Sequence, residues 1–175
     1  MLGGIIAEYT SRRKVPVGTI RDLIYDINRA QSVDALKNVI SNAKIPKSQK
    51  KILTEIASSS ELGDSSREAL ARKLFEFEEE KTNNTLQKTD IITRIGPTLG
   101  LMGTLIPMGP GLAALGAGDI NTLASSLTVA FNTTIVGIGS GALCYFIGKI
   151  RAGWYDRYLS DLDALIDAVL DKMNN

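Results

Sequence analysis

The chain contains no histidine, and its only cysteine is Cys144. Without histidine there are no Ser-His or Cys-His nucleophile pairs and no ordinary zinc ligand set. One cysteine builds neither an internal disulfide nor a Cys-based metal site. No catalytic residue, metal ligand or cofactor site is therefore expected, and an enzyme is not the reading. A basic surplus is missing as well: the net charge is +1, which argues against a nucleic-acid partner. Strand-like alternation and internal repeats are absent. The apolar start, Leu2 to Ala7 followed by Arg12-Arg13-Lys14, is too short for a signal peptide, and its charges lie on the wrong side.

Charge is scarcest between Arg94 and Lys149, where Asp119 alone interrupts two long apolar stretches. Each is long enough to cross a hydrocarbon core of ~30 Å, which takes ~20 helical residues. The expected spans are about 95–115 and 123–147. Neither contains a carboxylate or a lysine, so this chain has no side chain of its own to relay a proton through the membrane.

What the spans do contain is glycine, serine and threonine. Gly96 and Gly100, and Gly137 and Gly141, stand four residues apart, a spacing that lets helix backbones approach closely. Gly103 joins this packing set. Gly137-Ile-Gly-Ser-Gly141 and Gly148-Lys149 superficially suggest phosphate loops. The first lacks the third glycine and a preceding strand, and Lys149 is followed by Ile150 rather than Ser or Thr.

The polar groups are ordered. Ser126, Thr133 and Ser140 recur every seven residues on one helix face, with Ser125 and Asn132 on the neighbouring strip. Thr98 and Thr104 are the polar groups of the first span, where Pro107 deprives the Gly103 carbonyl of its helical donor. Two readings are open here. The hydroxyls bond back to their own helices and support packing, or they line a wet path for an ion.

Outside the spans the chain is heavily charged with both signs. Helices are expected from about Thr19 to Ala30 and from Ser32 to Ala43, with Leu23, Ile24, Ile27 and then Val33, Leu36, Val39, Ile40 at helical spacing. Ser32 caps the second. Pro46 opens a third, carrying Ile52, Leu53 and Ile56, and Ser58 to Asp64 reads as a break. Ser65 with Glu68 forms a capping box. From Arg67 an amphipathic helix, with Leu70, Leu74 and Phe77 on its apolar side and Glu76, Glu78, Glu79, Glu80 and Lys81 on its polar side, continues toward the first span past Asn83-Asn84 and Pro97. A C-terminal helix of about 154–173 has an apolar stripe, including Tyr158, Leu162, Leu165 and Val169, opposite a row of aspartates. That stripe packs against its own subunit or against copies of itself.

Lys88 and Arg94 precede the first span and Lys149, Arg151 and Arg157 follow the second, while the loop between the spans has no cation. The positive-inside rule then makes residues 10–90 and 150–175 cytoplasmic and turns Asp119 outward. The fold class expected is all-α: an integral membrane protein with two full transmembrane helices and long cytoplasmic helical extensions. A helical region of residues 1–90 precedes a channel-like domain of residues 91–175.

Ile95-Gly-Pro-Thr-Leu-Gly-Leu-Met-Gly-Thr104, a charge-poor loop, and Ala130-Phe-Asn-Thr-Thr-Ile-Val-Gly137 together resemble the paired signature of the MotA/TolQ/ExbB proton channel family. The resemblance covers about residues 90–170. It implies a homo-oligomer, typically a pentamer, in the lipid of a prokaryotic inner (cytoplasmic) membrane. The ring surrounds a single-span partner, similar to ExbD, TolR or MotB, whose aspartate carries the proton or sodium ion. It also implies that Thr104 and Thr134 line the ion path, with Thr133, Asn132 and Thr98 as further lining candidates. Three departures accompany it. Ser126-Leu-Thr-Val-Ala130 stands where ExbB-like members have a glutamate, Pro107 and Pro110 replace residues that usually continue the helix, and the family's first membrane helix is missing or truncated: either Leu2 to Tyr9 are its last turns or this member lacks it. The function implied is an ion-channel subunit that couples ion flow to movement of the partner. The alternative is a passive membrane scaffold assembled through small-residue helix faces.

Overall fold

The computed structural model describes residues 16–174. The expected remnant of a first membrane helix lies outside them. Five helices and no strand occur among the described residues: α1 Val17–Arg29, α2 Val33–Asn42, α3 Lys47–Ser58, α4 Asp64–Gly116 and α5 Ile120–Asn174. Pro16 and Pro46 stand immediately before α1 and α3, where a proline loses no helical donor and its carbonyl accepts the first turn's bonds. Ser32 caps α2 as expected, its hydroxyl accepting from the Ala35 amide at 3.2 Å. α4 begins at Asp64 rather than at a Ser65 cap: the Gly63 carbonyl accepts from the Ser66 and Arg67 amides. Asp64 then lies in the first turn, where an anion suits the helix dipole.

The described residues divide into two compact units, one of residues 16–82 with 153–174 and one of residues 83–152. Neither unit matches a simple N-terminal and C-terminal division at residue 90, because α4 and α5 each contribute to both. The separate C-terminal helix expected at about 154–173 is the end of α5, which continues through Gly148 and Gly153. Each glycine costs a helix roughly 1 kcal/mol relative to alanine, too little to end one held by tertiary contacts.

In the first unit, α1, α2 and α3 enclose a core with the N-terminal part of α4 and the C-terminal part of α5. Ile20, Leu23 and Ile27 of α1, Leu36 and Ile40 of α2, and Ile52, Leu53 and Ile56 of α3 are buried against Leu162, Leu165, Ile166 and Val169 of α5. Each such side chain contributes about 1.5–3 kcal/mol when withdrawn from water. The C-terminal stripe is therefore consumed within its own subunit.

The buried face of α4 differs from the one expected. Phe77 is 66% exposed, whereas Glu78 is 3% exposed and Ala71 and Thr82 share its face. Residues 71, 75, 78 and 82 follow the 3–4 spacing of a helix stripe, with a carboxylate placed inside.

Candidate functional site

In the second unit, residues 83–116 of α4 run antiparallel to residues 120–152 of α5. The reversal is compact and explained locally. The Asp119 amide donates to the Ala114 carbonyl at 2.9 Å and the Gly118 amide to Leu115 at 3.0 Å. Gly118 has φ +80°, the left-handed conformation such a helix stop requires. Asp119 then starts α5: its carboxylate accepts from the Thr122 amide at 3.1 Å and from the Thr122 hydroxyl at 2.5 Å. Those two bonds, the hydroxyl's foremost, hold the Asp119 carboxyl below its ordinary value. The one charge between the spans is thus a helix cap.

Glycines let the two backbones touch. A Cβ built on Gly137 would lie 2.5 Å from the Gly100 Cα and 2.8 Å from the Gly96 oxygen, and one on Gly141 would lie 2.8 Å from the Pro97 ring. A Cβ on Gly103 would meet the Thr133 Cβ at 3.0 Å, and one on Gly111 the Ser126 Cβ at 2.9 Å. Gly96, Gly100, Gly103, Gly137 and Gly141 therefore all stand on the seam between two helices of one chain. In lipid, where apolar burial between helices gains nothing over contact with acyl chains, close backbone packing supplies the attraction. Large apolar side chains of both helices are exposed, among them Leu105, Ile106, Phe131, Ile135 and Phe146.

The structure separates the five polar residues expected to line a path. Thr133 and Asn132 border a groove of about 480 Å³ with Leu99, Gly100, Val129 and Ser140. Thr104 and Thr134 are absent from that groove. With about 100° per helical residue, each stands one step round from the seam positions Gly103 and Thr133, on the opposite flank. The seam pairs Gly103 with Thr133, so Thr104 and Thr134 lie at the same depth. Thr98 is exposed and reaches neither surface.

Every threonine hydroxyl in this set bonds back to its own helix. Thr98 donates to the Arg94 carbonyl at 3.2 Å, Thr104 to Leu101 at 2.6 Å, and Thr133 and Thr134 to Ala130 at 2.8 and 3.1 Å. Each oxygen keeps lone pairs to accept from water or a hydrated ion. The Asn132 amide has no hydrogen-bond partner among the described residues. No group of His, Cys, Asp or Glu residues able to hold a metal occurs among the described residues.

One polar cluster escaped the sequence pattern. In the first unit, Tyr158 donates to Glu78 Oε1 at 2.8 Å and, its single proton so used, accepts from the Ser48 hydroxyl at 2.6 Å. Lys81 Nζ pairs with Glu78 Oε2 at 3.1 Å, and Gln49 Nε2 donates to the Tyr158 carbonyl at 3.0 Å. A tyrosine within an apolar stripe is the available signal, since its buried hydroxyl requires a partner. The acidic run of residues 76–80 concealed which carboxylate provides it.

α4 and α5 are long and apolar enough to cross a membrane. The sequence profile of the MotA/TolQ/ExbB proton channel family matches residues 30–164. No curated protein and no solved structure matches the chain.

Proposed function

The chain belongs to the MotA/TolQ/ExbB proton channel family, and from that premise we propose that it is the channel-wall subunit of an inner-membrane energy-transducing motor. Copies of it, five by family resemblance, surround a single-span partner of the ExbD, TolR or MotB kind. Ions, protons or sodium, pass along the flank that carries Thr104 and Thr134, and their passage moves the partner. The observation that carries this reading is the absence of any titratable group in either span apart from the sulfhydryl of Cys144 and the phenol of Tyr145, beside two threonines at one depth on one flank. The ion-carrying carboxylate then belongs to the partner. One elementary charge crossing ~100 mV releases about 2.3 kcal/mol, enough for repeated transits to drive a mechanical cycle.

A scaffold reading is favoured by one observation, the return of each threonine hydroxyl to its own helix. The two are separated by Thr104→Val and Thr134→Val, which keep shape and remove the hydroxyl. Vesicles holding this protein with its single-span partner, an imposed gradient and a pH- or sodium-sensitive dye report the flux. The channel reading expects flux to fall while assembly persists, with Thr→Ser at either site retaining much more. Flux equal to the parent's in both valine variants overturns the path.

A further inference from the structure

A groove of about 510 Å³ lies within the second unit, between residues 83–93 of α4 and 144–152 of α5. It sits where the charge-free stretches end: Lys149 is the first charge after the second stretch, and Asp90 and Arg94 are the last before the first. Its lining is divided in character. Leu86 and Tyr145 are apolar or amphipathic, and Asn83, Gln87, Asp90 and Lys149 are polar. Asp90 pairs through Oδ2 with Arg94 Nε at 3.0 Å. Its other oxygen, and the Lys149 ammonium, have no partner among the described residues.

We propose that this groove binds a phospholipid with a primary-ammonium headgroup, a phosphoethanolamine. The proposal rests on α4 and α5 crossing lipid. Lys149 pairs with the phosphate, and the open Asp90 oxygen accepts from the ammonium. Acyl chains leave past Tyr145, at the membrane end of the groove, toward the exposed apolar faces, with the tyrosine at the interfacial level where aromatic belts form. A phosphocholine group offers the same phosphate but no N–H for Asp90, and a phosphoglycerol group offers no cation. One cation and one open carboxylate oxygen in a single groove thus favour the aminated lipid over both.

The test is native mass spectrometry of the delipidated full chain with equimolar phosphatidylethanolamine, phosphatidylcholine and phosphatidylglycerol. Phosphatidylethanolamine should be retained about fivefold over phosphatidylcholine, the discrimination that one net hydrogen bond provides. Lys149→Gln should reduce retention of all three lipids, since each carries the phosphate. Asp90→Asn should remove the preference for ethanolamine over choline, and Lys88→Gln, outside the groove, should change nothing. Equal retention of the three lipids overturns the proposal, as does insensitivity to both groove variants. So does a Tyr145→Cys variant, in a Cys144→Ala background, that cross-links between copies undiminished by added phosphatidylethanolamine. Flotation with liposomes separates the two failures. A chain that floats without headgroup preference refutes the site alone, and one that does not float refutes its membrane premise as well.

Discussion

The Tyr158 hydroxyl donates to the Glu78 carboxylate at 2.8 Å, joining α5 to α4 inside the first unit. Glu78 is 3% exposed and Tyr158 is 6% exposed, so water does not replace the bond when it is lost. Tyr158→Phe should lower the stability of this unit by about 1.5–3 kcal/mol, the range for a hydrogen bond to a charged group. Glu78→Gln, which keeps an acceptor for Tyr158, should cost less than Glu78→Ala. Denaturant unfolding followed by circular dichroism in mild detergent measures both; a Phe variant as stable as the parent would discount the bond.

The seam predicts an intrachain cross-link. Gly103→Cys with Thr133→Cys, in a Cys144→Ala background, should oxidise within one chain, because a Gly103 Cβ lies 3.0 Å from the Thr133 Cβ, so a helix shift of a few tenths of an ångström brings the pair to the roughly 3.5–4.5 Å of a disulfide. Non-reducing gels should show a monomer of altered mobility. Bands at dimer mass in its place would mean that the glycines hold copies together. Adding Gly137→Leu should abolish the cross-link, since its Cβ would lie 2.5 Å from the Gly100 Cα. Gly139→Leu, with nothing within 4 Å, should not.

Orientation is testable at the reversal between α4 and α5. A cysteine at Ala117 should react in intact cells with a thiol probe that cannot cross membranes, and one at Ser160 should not, because Lys and Arg flank only the other ends of the spans. Ala117 is a better site than Gly118, whose φ of +80° would strain any side chain. The reverse labelling pattern inverts the topology.

Asp167 supplies a pH signature. Its carboxyl is raised above the ordinary 3.8, first by desolvation and then by Asp163 and Asp171 on the same helix. Desolvation likewise raises Asp161, opposed by Arg157. A raised acid contributes stability that is complete below its unfolded value and is lost as pH rises through its folded value. The first unit should therefore become more stable as pH falls toward 3.8. Asp167→Asn should stabilise it at neutral pH by no more than about 1 kcal/mol, given the exposure of these groups, and flatten that rise. Asp119 acts oppositely: its lowered carboxyl supports the α5 cap above the unfolded value and releases it as pH falls through the folded one. Thermal unfolding across pH, for parent and variant, decides the sign.

Much of the architecture was determined by the sequence alone. Apolar residues at helical spacing specify α1, α2 and α3, and a stretch whose one charge is Asp119 specifies two helices suited to lipid. These signals are local, because helix periodicity and transfer free energy act over one to five turns of chain. The glycines of residues 96–103 and 137–141 announced a close helix contact, but a small residue permits approach without naming its partner. Only the tertiary structure decided that the partner is the other helix of the same chain. It likewise decided that the C-terminal stripe covers α1, α2 and α3, and that Thr104 and Thr134 share a flank that Asn132 does not. The inward turn of Glu78 lay furthest from the sequence. Four of residues 76–80 are glutamates with nearly equal intrinsic cost of burial, and the one that enters the core is selected by Tyr158, a hydrogen-bond donor 80 positions along the chain.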